Sequence, residues 1–275
     1  MVNRSSYLSL SILTSLVLMS GCSILTDRDD ADSAPMTQPR DIESVPDAVP
    51  KSEPRSKYGN PPSYVVFGKR YYVLDSSNGF VERGIASWYG TKFHGRRTSS
   101  GETYNMYAMT AAHKTLPLPT YVEVTNLENG KRVVLKVNDR GPFHDNRVID
   151  LSYTAATKLD VVRKGTALVE VRAINPGGEV ARDKSPPVRT VAQAQPAVTD
   201  FFIQVGAYSD PYNAENMLMR LSGTWQELVK ISSATVNGQT LYRVRIGPLN
   251  SVERSDEIVA QLEQAGIIEH RIVTE

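Results

Sequence analysis

The sequence predicts a mainly β protein with a smaller α+β part: a small closed β-barrel, then a compact βαββαβ domain, joined by disordered linkers. Three observations carry this expectation. Short alternating apolar runs, punctuated by Gly, Asn, Asp and Pro, crowd residues 58–174 and leave little room for helix. Residues 201–275 instead interleave strand-like runs with two capped helical stretches. Residues 22–57 and 175–200 are rich in Pro, Ser and charge and lack aromatic side chains. Such segments cannot bury enough apolar surface to fold on their own and read as a disordered tether and a linker.

The elements follow in chain order. Arg4, an apolar run from Tyr7 to Met19 and the small pair Ser20–Gly21 lead to Cys22, the only cysteine of the chain. This is the layout of a secretory signal, residues 1–21, with an apolar core too short to remain as a membrane span. A single cysteine makes no internal disulfide. "LMSGC" is similar to the bacterial lipoprotein box, departing from it at Met19, and makes Cys22 the expected lipidation site. Ser23, rather than Asp, after that cysteine points to the outer membrane. Several acyl chains on one residue give a lasting anchor.

Between residues 58 and 174 the strand candidates are "SYVVF", "RYYVL", "YVEVT", "RVVLKV" and "LVEVRA", and "LENGK" carries the Asn-Gly pair of tight hairpins. Only "DLSYTAATKL", residues 150–159, has helical character, with Asp150 or Ser152 as its N-cap. In the C-terminal module, strand-like "FFIQVGAY" precedes a helix capped by Asp210, opened by Pro211 and closed at Gly223. "ELVKISSATV" and "TLYRVRIG" flank the turn "NGQ"; a second helix ends at Gly266, and "IIEHRIVTE" supplies a last strand. "FIQVGAYSDPYNAE" and "YRVRIGPLNSVERS" echo each other as half-repeats.

Charge narrows the function. With 31 basic and 30 acidic residues there is no basic excess for phosphate neutralisation, so no nucleic-acid partner is expected. Candidate carboxylates in the first module are Glu82, Glu102, Glu123, Glu128, Asp139, Asp145, Asp150, Asp160 and Glu170. Glu123 and Glu170 fall on the polar face of alternating strands. Glu102 follows Ser99, Ser100 and Gly101 in a loop, and Asp139 stands where the apolar run "VVLKVN" meets "RGPF", beside Arg140. His113 follows the small residues Ala111 and Ala112. On the residues alone, Asp139 could equally cap a turn, Glu102 be an exposed loop acid and His113 a buried structural histidine. Trp88 and Tyr89 offer flat faces for stacking on sugar rings, though neighbours on a strand face opposite ways. His94, His113 and His144 have no metal-binding spacing, and neither a metal nor another cofactor is expected.

"GIASWYGTKFHGRRTSSGETYNMYAMTAAHKTLPLPTYVEVTNLENGKRVVLKVNDRGPF" resembles the six-stranded double-psi β-barrel of the rare lipoprotein A family, and "FIQVGAYSD" with "YRVRIGPL" resembles a SPOR domain of ferredoxin-like order. The resemblance implies a periplasmic lytic transglycosylase. It would cleave peptidoglycan glycan strands, preferably freed of stem peptides, to 1,6-anhydro ends and so aid daughter-cell separation, with divisome or amidase proteins as septal partners. It also implies catalytic roles for Asp139, Glu102 and His113. Asp139 is favoured for proton transfer and the other two for positioning the saccharide; Glu102 and Asp139 are interchangeable at this stage. Trp88, Tyr89, Ser100 and Arg140 would bind substrate in the barrel. In the C-terminal domain, burial of Ile203, Val205, Val244 and Ile246 turns Gln204, Arg243 and Arg245 outward, and with Tyr208 and Tyr242 these would grip glycan. The other implied class is a non-catalytic scaffold in which the barrel only binds glycan; an intact set of proton-transfer candidates argues for the enzyme.

Overall fold

The computed structural model describes residues 32–144, 146–176, 201–236 and 238–274. The signal segment, Cys22 and most of the linker lie outside the described residues. Six strands close into a barrel: β3 (Val81–Tyr89), β4 (Thr110–His113), β5 (Thr120–Asn126), β6 (Arg132–Asp139), β7 (Arg147–Ser152) and β8 (Ala167–Ile174), in the order β3-β7-β4-β6-β5-β8. The β3–β7 and β4–β6 pairs are parallel and the other four antiparallel. The first two apolar runs pair only with each other, as the hairpin β1 (Ser63–Val66) and β2 (Lys69–Tyr72).

Alternation builds the barrel. Val122, Val124, Val133, Leu135, Val137, Ile149, Leu151, Val169 and Val171 are buried and form one apolar cluster, and the residues between them face outward. The helix expected at 150–159 is shorter, α1 (Tyr153–Lys158), and Ser152 caps it by accepting from the Ala155 N–H. Asp150 is therefore not the cap. It stays on β7, where its side chain meets the Ser87 hydroxyl of β3 instead.

The C-terminal domain runs β9 (Phe201–Tyr208), α2 (Pro211–Trp225), β10 (Val229–Val236), β11 (Gln239–Leu249), α3 (Val252–Gln264) and β12 (Arg271–Thr274), with sheet order β10-β11-β9-β12. This is the expected βαββαβ order. Asp210 caps α2, but α2 continues past Gly223 because Trp225 is buried in the domain core and holds the last turn down.

The stretch expected as a disordered tether departs from that expectation over residues 32–57. These residues lie against the barrel as a strap. Ile42, only 3% exposed, packs among Tyr89, Tyr104, Met106 and Tyr153. Ala48 donates its N–H to the Val134 carbonyl, Asp47 accepts from the Val134 N–H and Lys158, and Ser56 donates to the Leu118 carbonyl. One buried apolar anchor plus polar bonds to barrel backbone suffices here, a combination that composition does not register. Ile42→Asp should expose the strap: limited proteolysis is expected to cut within residues 32–57 of the variant while the barrel stays intact, and equal protection in both proteins would contradict the docking.

Candidate active site

One row of residues crosses four barrel strands on the outer face. Ser87 of β3 is in register with Asp150 of β7, Asp150 with Ala112 of β4, and Ala112 with Asp139 of β6. Residues directly opposite one another share a face, so two carboxyls flank an alanine whose small side chain leaves space between them. Asp139 reaches this face through a register shift: Ala111 pairs with Val137, but Ala112 pairs with Asp139, leaving Asn138 as an extra residue. A bulge of this kind re-aims the following side chain. Without it, alternation would turn Asp139 inward with Val137.

The loop of residues 98–102 locks the acids. Asp139 Oδ1 accepts from the Ser99 N–H and hydroxyl, both at 2.7 Å, and from the Arg140 N–H at 2.7 Å. Its Oδ2 has no hydrogen bond among the described residues. Glu102 accepts from Lys136 Nζ at 2.8 Å and Asn138 Nδ2 at 2.7 Å, and the loop is pinned by Ser100 N–H to the Asn138 carbonyl and Thr98 N–H to the Glu102 carbonyl. Gly101, at φ +93°, turns the chain between them beside the Tyr58 ring, a backbone state that strains a residue with a Cβ. Burial lowers the Lys136 ammonium pKa, but its hydrogen bonds to Glu102 and to Glu53 of the strap more than offset this, and the pKa ends up raised.

Asp150 accepts from the Ser87 hydroxyl at 2.5 Å. Burial pushes its pKa up to about 6, against the opposing effects of Ser87, Arg147 and Lys114, and the charge of Asp32 adds to the rise. A Cβ on Gly141, two residues past Asp139, would stand 3.5 Å from the Oδ2 of Asp150. Tyr89 stacks on Tyr104 with centroids 4.0 Å apart, and its hydroxyl pKa is raised well above 10, first by burial and then by the charges of Tyr104, Asp139 and Asp150. The stacked pair and the two aspartates thus share one neighbourhood.

The structure brings Glu102 and Asp139 together but sends the His113 ring elsewhere. Being adjacent to Ala112 on β4, His113 faces the opposite way. It is 1% exposed; Nε2 lies 3.0 Å from Glu82, Nδ1 accepts from the Thr115 and Leu116 N–H groups, and Phe80 packs edge-on at 5.2 Å. His113 and Glu82 border a separate cavity of about 650 Å³ with Arg83, Lys114, Arg147 and Arg271. Arg140 also differs from expectation. Its backbone N–H serves Asp139, while its guanidinium is occupied by the carbonyls of Gly59, His113 and Leu116, so it braces the loop and offers little to a sugar. Trp88 is partly buried, tilted against Tyr153 at 5.6 Å. Ser100 is buried with its hydroxyl on Thr98, and its neighbour Ser99, not singled out from the sequence, carries the contact to Asp139. Among the three histidines, His94 accepts from the Met106 N–H and His144 is exposed; neither shares a partner with His113.

In the C-terminal sheet, Ile203, Val205, Val244 and Ile246 are buried as expected, but so is Gln204, at 5% exposure. It sits in register between Arg245 and Arg271, with Arg245 Nε 3.4 Å from its carbonyl oxygen. Long arginine stems on both flanking strands cover a shorter central side chain. Arg243, Arg245, Tyr208 and Tyr242 are partly exposed.

A family model described as "Lytic transglycolase" matches residues 81–171, and a SPOR domain model matches residues 197–273. The endolytic peptidoglycan transglycosylase RlpA of Pseudomonas aeruginosa PAO1 is 39% identical, covering 86% of this chain and 87% of its own. The chain belongs to the RlpA family. RlpA of Vibrio cholerae is 41% identical over 91% of each chain, and RlpA of Neisseria meningitidis MC58 is 44% identical over 78% of this chain and 84% of its own. The solved SPOR domain of Pseudomonas aeruginosa RlpA is 34% identical, covering 26% of this chain and 96% of its own, at a TM-score of 0.26. RlpA is a lytic transglycosylase family, and the barrel row lies inside the matched transglycosylase segment.

The raised pKa of Asp150 has a measurable consequence. Because its folded value, about 6, exceeds the ordinary aspartate value of 3.8, the neutral form is favoured by folding; its contribution is whole below pH 4 and lost as pH rises through 6. The stability of wild type relative to Asp150→Asn, followed by urea unfolding, should fall by on the order of 2 kcal/mol between pH 4 and 7. A pH-independent difference would contradict the assignment.

Proposed function

We propose that this chain is an endolytic peptidoglycan transglycosylase whose proton-transfer group is Asp139. The observation that carries the reading is the asymmetric hold on this carboxyl: one oxygen is fixed by three donors, and the other has no hydrogen bond among the described residues. Fixed geometry is what a proton-transfer group needs. Asp139 gives its proton to the glycosidic oxygen as the C1–O bond breaks. The carboxylate then takes the proton of the sugar's own 6-hydroxyl as that oxygen attacks C1, leaving a 1,6-anhydro end and restoring the acid. No water enters the bond, so one carboxyl serves both halves.

The neighbours supply electrostatics and position. Glu102, held by Lys136 and Asn138, sets negative charge against the positive charge that develops at C1; Asp150 adds to this once ionised. His113 acts at one remove, because its ring fixes the N–H groups of Thr115 and Leu116 while its own carbonyl and that of Leu116 hold Arg140 beside Asp139. In this reading it is a positioning residue. Cys22 anchors the chain in the outer membrane facing the periplasm, and the SPOR domain brings it to denuded glycan at the division septum, where amidases would supply the peptide-free strands.

Mass spectrometry of amidase-treated sacculi incubated with residues 23–275 tests this. Soluble 1,6-anhydro-terminated saccharides are expected, reduced roughly 10²–10⁴-fold by Asp139→Asn and strongly by Glu102→Gln. Reducing ends would make water the nucleophile and the enzyme a hydrolase. No products with glycan binding intact would leave a scaffold.

A further inference from the structure

In the strap, the Asp32 carboxylate is seated on two backbone donors of the segment that follows β3. Asp32 Oδ2 accepts from the Gly90 N–H at 2.8 Å, and its Oδ1 from the Lys92 N–H at 3.1 Å and from its own neighbour, the Ser33 N–H, at 3.0 Å. Ser33 completes the seat, its carbonyl accepting from the Thr91 N–H at 3.0 Å and its hydroxyl lying 2.8 Å from that of Thr91. The approach is close enough to require glycine: a Cβ on Gly90 would stand 2.1 Å from the Ser33 carbonyl oxygen. The cradle directly follows Trp88 and Tyr89 on β3, and Asp32 is near enough for its charge to raise the pKa of both Tyr104 and Asp150. Two converging N–H groups that bind a side-chain carboxylate, one oxygen each, form a receptor for that chemical group.

We infer that the Gly90 and Lys92 amides are a subsite for the free lactyl carboxylate of a peptide-free N-acetylmuramyl residue, and that Asp32 occupies it as a built-in competitor. This rests on the proposed activity and adds to it a physical basis for choosing strands without stem peptides. A free lactyl group offers two anionic oxygens, as Asp32 does. Once a stem peptide is attached, one of those oxygens is replaced by an amide N–H, which sets a donor against a donor. A site built around hydrogen bonds rejects a ligand that leaves one unpaired far more strongly than an apolar pocket rejects a methylene. Substrate entry then requires the first residues of the strap to lift away, while Ile42, ten residues on, keeps the rest docked.

The test reads binding, not turnover, so it survives failure of the catalytic proposal. Backbone amide NMR of the soluble chain, residues 23–275, would follow Gly90 and Lys92 in wild type and Asp32→Ala during titration with a GlcNAc–MurNAc disaccharide bearing a free lactyl acid. The same titration would be run with the lactyl carboxyl amidated and with a free stem peptide. We expect the free acid to shift both amides at roughly tenfold lower concentration in Asp32→Ala than in wild type, with the amidated sugar and the peptide much weaker in both. Equal binding of acid and amide in Asp32→Ala, or binding with no shift at Gly90 and Lys92, would overturn the subsite. Tight binding of the free peptide would overturn its assignment to the lactyl group. Unchanged affinity on removing Asp32 would overturn the competition.

Discussion

The candidate site depends on a lock between one loop and one bulged strand. Ser99 places its N–H and its hydroxyl on a single oxygen of Asp139, and the Arg140 N–H closes the set. Three donors on one oxygen fix a carboxyl far better than a flexible ion pair would, because each bond is directional and the donors belong to backbone or a short side chain. The bulge at Asn138 is the other half of the lock. It brings Asp139 to the outer face beside Ala112 and leaves Lys136 and Asn138 to receive Glu102. One loop and one strand thus hold each other: Ser99 of the loop fixes Asp139 of β6, while Lys136 and Asn138 of β6 fix Glu102 of the loop.

Around that lock the barrel acts as a ruler. Strand spacing of roughly 4.8 Å sets the intervals of the Ser87–Asp150–Ala112–Asp139 row, and the alanine keeps its centre open. The electrostatic environments of the acids differ: Glu102 faces an ammonium and an amide, whereas Asp150 is burdened by burial and relieved only in part by Ser87 and two more distant cations.

Much of this was legible in the sequence, for reasons that also explain the rest. Period-two alternation marked "YVEVT", "RVVLKV" and "LVEVRA" as strands, and Asp210 at the start of one helical stretch and Gly266 at the end of the other marked two helices, because these signals are local. A small closed barrel was legible in the many short strands, whereas the parallel β3–β7 and β4–β6 pairs join segments far apart in the chain and left no local signal. His113 was grouped with the acids through the family resemblance, yet one residue along a strand reverses a side chain. Ser100 was chosen over Ser99 because a loop has no period to say which hydroxyl points where. The strap escaped notice since Ile42 is a lone anchor in a polar stretch, and its remaining contacts, such as Asp47 with Lys158 and Glu53 with Lys136, depend on partners more than 80 residues away.

In this arrangement Ser99 matters to catalysis only through Asp139. A double-mutant cycle on turnover of amidase-treated glycan, using Ser99→Ala, Asp139→Asn and the pair, measures this directly. The account predicts that Ser99→Ala lowers kcat about tenfold in the wild-type background and has no further effect once Asp139 is asparagine. The same fold-loss in both backgrounds would mean that Ser99 serves some other step, and the lock would not be what makes Asp139 competent.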